Sequence, residues 1–323
     1  GIMGKKTINF IIPYFGTFPN YFQYFLNSCK TNSDIDWTII TDNQVLYDYP
    51  NNVHIVKASF EQIKKQIQEC FKFNICLESP HKLCEYKPAY GYVFPDLIKG
   101  YDFWGYCDID VIYGRIRKFI TRDILENYNK ILNLGHMTLI KNNIYYNNLF
   151  KKEIQGRSVY KEAFTTNLNY NFDEDFQNNI NINTLFMESG EKIYRNDDVI
   201  ADIYVKSNFF RLTREQWVEN YVKSFFVWEK GVLTRVLLKG TEIEKKEYMY
   251  IHLQKRKMKV SSKLTIDADR FLLIPNLFEA IYGNCPVSKK EFNKIKKWSP
   301  NLHYIRVRAK NFRVKLKIRK SLR

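Results

Sequence analysis

Residues 101–114, YDFWGYCDIDVIYG, decide how this chain is read. From Tyr101 to Cys107 the run is aromatic and small with a single acid, which suits a strand covered on both faces. Side chains alternate along a strand, so Asp108 and Asp110 share a face, with Cα atoms roughly 6.5 Å apart. Two anionic oxygens at a strand end, followed by the turn-former Gly114, suit Mg²⁺ or Mn²⁺ carrying a diphosphate. Ligands of open α/β sheets gather at that end. Asp-x-Asp also occurs at 34/36, 173/175 and 267/269, but only the 108/110 pair follows a strand-like apolar run. The other three lie in polar, turn-like surroundings.

Working back toward the N-terminus, Thr7–Ile12 reads as a compact apolar strand broken by Pro13-Tyr14-Phe15-Gly16. A helix-like stretch over 19–30 and a second strand at 37–40, ending in Thr41-Asp42-Asn43, complete a βαβ signature. The parallel sheet this implies puts both loops at one edge. Pro13, Tyr14 and Phe15 offer an aromatic face and backbone amides, and Asp42 offers an acceptor for a base or ribose. A third strand over 53–57 and a helix over 60–71 follow. In KLCEYKPAYG, residues 82–91, Pro88 keeps Lys87 out of α geometry and suits a first helical turn. A lysine placed there meets phosphate together with free helix-start amides.

At 323 residues, 45% apolar and 16% aromatic, the chain has material for one large α/β domain or two modest ones. No apolar run of about 18 residues exists to span a bilayer. Gly1-Ile2 ahead of Met3 reads as a cloning remnant, and Lys5-Lys6 precede a short strand rather than a signal-peptide core. A cytoplasmic protein is expected. The six cysteines form no CxxC pair and the five histidines no HxxxH cluster, so any metal site should be oxygen-rich. Net charge is +17, and residues 287–323 hold fourteen Lys/Arg against Glu291 alone, leaving only +4 for the body. A polybasic end with interspersed apolar residues suits an anionic membrane surface. Phe292, Ile295 and Trp298 have helical spacing, whereas 305–318 alternates apolar and basic with period two, which argues against a clean amphipathic helix there. No nucleic-acid motif is present, so no nucleic-acid partner is expected.

Taken together, the βαβ start, the KxxxxKPA segment and the Asp-x-Asp strand resemble bacterial glycosyltransferases of the GT-A fold, which assemble capsule, O-antigen and related surface glycans from nucleotide sugars. More narrowly, KLCEYKPAYGYVFPDLIKGYDFWGYCDIDVIYG, residues 82–114, looks like the matching block of capsular glycosyltransferases of the WciN type. The resemblance covers roughly residues 6–260 and is strongest over 82–142. It implies an α/β fold: a GT-A-like single domain over 4–286, with a mixed, mainly parallel central sheet flanked by helices. The nucleotide half would be 4–114, the acceptor half 115–286, and 287–323 a basic membrane-associating segment.

The same resemblance implies roles for individual residues. Asp108 and Asp110, with Ile109 between them, match the motif that holds Mn²⁺ or Mg²⁺ against the donor diphosphate, the first acid also reaching the ribose. Pro13–Phe15 and Thr41-Asp42 match loops that hold uracil and ribose, with Lys87 toward the phosphates. His252, in YIHLQKRK, resembles the late histidine that completes the metal site in retaining enzymes, with Lys255 on the diphosphate. This stretch departs from the longer HxxGxxK form, because Lys255 follows after two residues and no glycine intervenes. His136, in GHMTL, lies in the segment that approaches the donor sugar.

The implied activity is transfer of a hexose, galactose or glucose, from a UDP-sugar to a lipid-linked or nascent surface-glycan acceptor, with retention. An inverting enzyme instead needs a carboxylate base, for which Asp173 and Glu174, with Asp175 beside them, are the candidates in an Asn-rich loop that otherwise reads as solvated. Trp217 and Trp228 are possible sugar platforms, with core packing the simpler job for each. Two other classes remain open. A sugar nucleotidyltransferase is disfavoured because PYFG lacks a glycine-rich, basic phosphate loop, and the other is a non-enzymatic polybasic membrane or nucleic-acid adaptor. The expected location is the inner face of the plasma membrane, with the protein held peripherally.

Overall fold

Ile8–Pro13 (INFIIP) forms a strand with almost every side chain buried, and it pairs in parallel with Asp36–Thr41 on one side and Phe103–Cys107 on the other. The computed structural model describes residues 4–207, 209–213 and 223–322. Its seven-stranded sheet runs Val53–Lys57, Asp36–Thr41, Ile8–Pro13, Phe103–Cys107, Met137–Lys141, Lys130–Leu134 and Ile193–Tyr194. The first three pairings are parallel, the next two antiparallel and the last parallel, so the sheet is mixed and mainly parallel, as the sequence led us to expect. FWGYC at 103–107 is wholly buried because the strand is covered on both faces. Gly105 is needed there, since a Cβ would lie 2.3 Å from the Thr138 carbonyl oxygen of the neighbouring strand. The helix Phe60–Glu69 is started by a capping box between Ser59 and Gln62 and buries Ile63 and Ile67 in the core with Ile11, Ile40 and Trp104.

By its contacts the chain divides into two compact units, each assembled from separated stretches. The first comprises the chain up to Phe18, Asn32–Ile109 and Ile120–Asn196, and contains the seven-stranded sheet. The second comprises Pro19–Thr31, Asp110–Phe119 and the chain from Asp197 onward. It contains a six-stranded sheet in the order Glu242–Tyr248, Val232–Lys239, Lys223–Glu229, Arg270–Ile274, Leu277–Glu279 and Lys259–Val260. It also contains a small sheet in which Tyr250–His252 lies between Val111–Tyr113 and Ile200–Asp202. Within this unit Trp228 is core: its ring stacks on Phe271 and its indole N–H donates to the Tyr113 carbonyl. Trp217 lies outside the described residues.

The basic C-terminus differs from expectation in two ways. Residues just past 287 belong to the core, because Ser288 and Glu291 cap the helix Lys289–Lys294 and its Phe292 is fully buried against Phe225. Leu302–Ser321 is then one helix of 20 residues capped by Asn301, despite the period-two alternation. No glycine or proline interrupts it, and its many Lys and Arg are good helix formers. Leu302, Ile305, Ala309, Phe312 and Leu316 are spaced by threes and fours and so share one face. None of the six cysteines is in a disulfide. Among the described residues no helix is long and apolar enough to cross a membrane.

Candidate active site

In the first unit the two loops after the first two parallel strands are joined directly. Gly16 N–H donates to Asp42 Oδ1 at 3.1 Å, Asn43 Nδ2 donates to the Gly16 carbonyl at 3.0 Å, and Tyr14 N–H donates to the Ile40 carbonyl at 2.8 Å. Tyr14 stacks on Phe18 with ring centroids 5.1 Å apart, and Pro13, Tyr14 and Phe15 are half-buried around the loop. Asp42 is exposed, whereas Thr41 is fully buried and its hydroxyl accepts from Asn43 N–H. Thr41 therefore shapes the loop, and the aromatic and carboxylate surfaces are left to Tyr14 and Asp42.

The end of the Phe103–Cys107 strand leads into a buried charge cluster. Lys87 Nζ lies 2.8 Å from Asp108 Oδ1, 2.9 Å from the Gly135 carbonyl and 3.6 Å from Asp173 Oδ2. Lys87 was expected just ahead of a helix start. It does precede one, since the short α-helix Tyr90–Val93 begins three residues on, but Lys87 and Pro88 themselves belong to a 3₁₀ run over Pro80–Ala89. The tight 3₁₀ turn points Lys87, together with Lys82 and Glu85, into the interior. Glu85 accepts from Tyr170 N–H and Asn171 N–H and so fixes the 170–175 loop. Burial works to lower the Lys87 pKa, but Asp108, Cys84 and Asp173 outweigh it and hold the ammonium well above the usual lysine range. Burial also pushes the Asp173 carboxyl far up, against the pull of Lys87 and with Glu174, Glu85 and Asp108 adding to the rise.

In the Asn-rich loop the flanking Asn167, Asn169 and Asn178 are exposed, but the acids between them are engaged by the protein. Asp175 accepts from Asn133, Asn181, Asn183 and Arg195, and although burial raises its carboxyl, those donors hold it below the usual range. Glu174 Oε2 accepts from Gly135 N–H at 2.9 Å. Gly135 must be glycine, because a Cβ there would lie 2.2 Å from Asp173 Oδ2. His136 is buried, and its carbonyl accepts from Asp108 N–H at 3.2 Å. Ile109 is buried as well.

In the second unit Asp110, His252 and Asp202 come together at the end of the small sheet. His252 Nε2 lies 3.2 Å from Asp110 Oδ1, and Nδ1 lies 3.0 Å from Asp202 Oδ1. Asp110 Oδ2 also accepts from Lys255 N–H at 2.5 Å, and its carbonyl accepts from Leu253 N–H at 2.8 Å. Gln254 and Lys255 both have left-handed backbones, with φ of 55° and 54°, which turns the chain so that the Lys255 amide faces Asp110. That turn does without the glycine of the longer HxxGxxK form. Lys255 thus contributes its backbone to the site, and its side chain is exposed. Asp110 and His252 offer a hard oxygen and an imidazole nitrogen within 4.8 Å of each other in a buried setting, donors that fit a divalent cation.

The sequence from residue 10 to 282 matches the model of a protein family described as a family of unknown function, DUF6625. The chain belongs to this family. No curated protein matches it. Among solved structures, the galactosyltransferase LgtC in complex with donor and acceptor sugar analogues aligns at 12% identity and a TM-score of 0.34, covering 61% of this chain and 75% of that one. Mouse xyloside xylosyltransferase 1 aligns at 8% identity and a TM-score of 0.37, covering 62% and 88%. These low scores mark partial superpositions, so the chemistry of this DUF6625 member rests on its own side chains.

Two residues of this DUF6625 chain escaped the sequence reading. Asp202 follows no recognisable motif and reaches His252 only through the parallel pairing of Ile200–Asp202 with Tyr250–His252. Arg256 is buried over the Tyr304 ring at 4.3 Å, with NH1 donating to Asn276 Oδ1 and NH2 to the Phe209 carbonyl. It ties the turn after His252 to the start of the basic helix, and the only signal in sequence was its place in the QKRK run.

Proposed function

We propose that this chain is a divalent-metal-dependent glycosyltransferase of GT-A type that moves a hexose, galactose or glucose, from a UDP-sugar to a lipid-linked or nascent surface-glycan acceptor with retention of configuration. The observation that carries the proposal is the buried Asp110–His252 pair at 3.2 Å, which sets a carboxylate oxygen beside an imidazole nitrogen, two donor types that can ligate a divalent cation. Asp108, two residues earlier in the chain, is the third proposed ligand. A divalent ion bound there supplies positive charge to the departing diphosphate. The protein's own residues do the rest. Tyr14 and Asp42 present an aromatic face and an acceptor suited to uracil and ribose, and Lys87 holds Asp108 and Asp173 in fixed positions. Lys255 is exposed and free to follow a phosphate. His136 and Glu174 are the proposed contacts to the sugar and acceptor, and Asp173 or Glu174 would be the base if the outcome were inversion.

The basic helix is proposed to hold the enzyme on an anionic membrane surface at the cytoplasmic face, where a capsule or O-antigen intermediate would be met. Arg306, Arg308, Lys310, Arg313, Lys315 and Lys317 lie on a helix whose side chains are nearly all exposed, beside an open apolar groove lined by Phe209, Trp298 and Phe312. Each basic residue near anionic headgroups contributes about 1 kcal/mol. The test is thermal stability of the purified protein with a panel of nucleotide sugars, each with and without Mn²⁺, since a ligand of the native state raises Tm by mass action. A rise with UDP-sugars that requires Mn²⁺ supports the proposal and points to the donor. No rise with any nucleotide sugar would remove it.

A further inference from the structure

We infer that Asp202 is a positioning residue for His252, accepting the Nδ1 proton of the ring and so presenting Nε2 on the side of Asp110. The inference rests on the metal reading proposed above. Asp202 Oδ1 lies 3.0 Å from Nδ1 while Asp110 Oδ1 lies 3.2 Å from Nε2, so each nitrogen of the ring has its own carboxylate. An imidazole that ligates a metal does so through an unprotonated nitrogen, and the partner of the other nitrogen sets which one that is.

The surroundings of the two acids separate their roles. Asp202 is itself fixed: Gln254 Nε2 donates to its Oδ1 at 2.5 Å and Thr213 Oγ1 to its Oδ2 at 3.0 Å. Its backbone carbonyl accepts from Thr213 N–H at 2.9 Å, and the strand pairing that sets Asp202 opposite His252 is continued by Ile203 N–H donating to the His252 carbonyl at 3.0 Å. Both carboxylate oxygens of Asp202 are thus engaged by neutral side-chain donors besides the ring. Asp110 instead receives one backbone amide, from Lys255, on Oδ2, and its Oδ1 faces the ring. An acid held by fixed donors is built to orient, and an acid whose oxygen faces the ring's other nitrogen is built to share a cation with it. Gln254 adds to this, because the left-handed turn that brings the Lys255 amide to Asp110 also carries the Gln254 amide to Asp202.

Two measurements on the full chain decide it. In the metal-free protein, ¹⁵N shifts of the His252 ring at a pH where it is neutral should show the proton on Nδ1, with Asp202→Ala moving it to Nε2. A wild-type ring already protonated on Nε2 overturns the inference without reference to any metal. Mn²⁺ affinity, read from the free-ion electron paramagnetic resonance signal, should fall about 10-fold in Asp202→Asn and toward 100-fold in Asp202→Ala. Asp110→Asn should abolish it. Unchanged affinity in both Asp202 variants overturns the inference, as does a loss in Asp202→Asn as complete as in Asp110→Asn, which would make Asp202 a ligand. Absence of Mn²⁺ binding in the wild type would instead remove the proposed function, and the ring's proton would still decide whether Asp202 orients it.

Discussion

Each unit buries a cluster of carboxylates around a nitrogen base, but the bases differ. In the first, Lys87 directs its ammonium to Asp108, the Gly135 carbonyl and Asp173. In the second, His252 gives one ring nitrogen to Asp110 and the other to Asp202. An ammonium has three donors and no lone pair, so Lys87 itself cannot ligate a metal. An imidazole nitrogen can turn from a carboxylate to a cation. Lys87 is therefore a structural brace, and the His252 cluster is the proposed ligand set.

Substitution should separate the two most sharply. Removing one partner of a buried ion pair strands the other, so Lys87→Ala should destabilise the protein by about 3–5 kcal/mol in denaturant unfolding. His252→Ala should cost clearly less stability while abolishing or strongly weakening Mn²⁺ binding. Equal losses of stability in the two variants would break the comparison. The double variant Lys87→Met with Asp173→Asn should recover part of the loss, because the deeply buried carboxylate is then neutral, while the partly exposed Asp108 keeps contact with solvent.

Gly135→Ala probes the same brace without removing charge. The added Cβ has no room beside Asp173, so the carboxylate must shift, and a cost of about 1–3 kcal/mol is expected. A neutral effect on the melting temperature would mean that Asp173 is not held where the geometry puts it.

Lys130 sharpens the comparison from within the first unit, because it is buried and, among the described residues, no carboxylate is in hydrogen-bond contact with it. Its ammonium donates to the Leu132 carbonyl at 2.7 Å, and burial pushes its pKa from 10.5 down to about 7, with Arg195 adding to the fall and Asp175 and Asp173 opposing it. Between those two values the folded state holds fewer protons than the unfolded chain, so this residue makes stability rise with pH across that window. Its cost is fully present below about pH 7. Lys130→Met should stabilise the protein near neutrality and flatten that rise, measured as Tm against pH. A slope identical to wild type would mean the amine is not desolvated. The smallest expected effect on stability belongs to the basic helix: a stop after Ile305 should leave Tm nearly unchanged, because Tyr304 is the one buried residue of that helix. It should also abolish retention on anionic vesicles.

Much of the fold was legible because the early elements are locally unambiguous. INFIIP, DWTIIT and FWGYC are apolar enough to be strands of a covered sheet, and Ser59 with Gln62 marks a helix start by side-chain chemistry alone. Asp108, Asp110 and Asp42 could be singled out because strand-end acids are rare in such surroundings. The six-stranded sheet was not foreseen, although Lys230-Gly231, with φ of 47° and 87°, is a hairpin turn with a glycine to mark it. Around Asp173 and Asp175 the flanking Asn167, Asn169 and Asn178 are exposed, as their polarity suggests, but Asp173 is buried and Asp175 is held by the buried Asn133, Asn181 and Asn183, which no local pattern marks. Asp202 and the setting of Lys87 depend on pairings distant in sequence, which no local pattern encodes.

The account stands most directly on calorimetric titration of UDP into the wild-type protein and Asp110→Asn, each with and without Mn²⁺. It predicts binding by the wild type that requires Mn²⁺, and none by Asp110→Asn under either condition. Binding of UDP that is indifferent to Mn²⁺ and survives Asp110→Asn would contradict the assignment of Asp110 and His252 as a metal site.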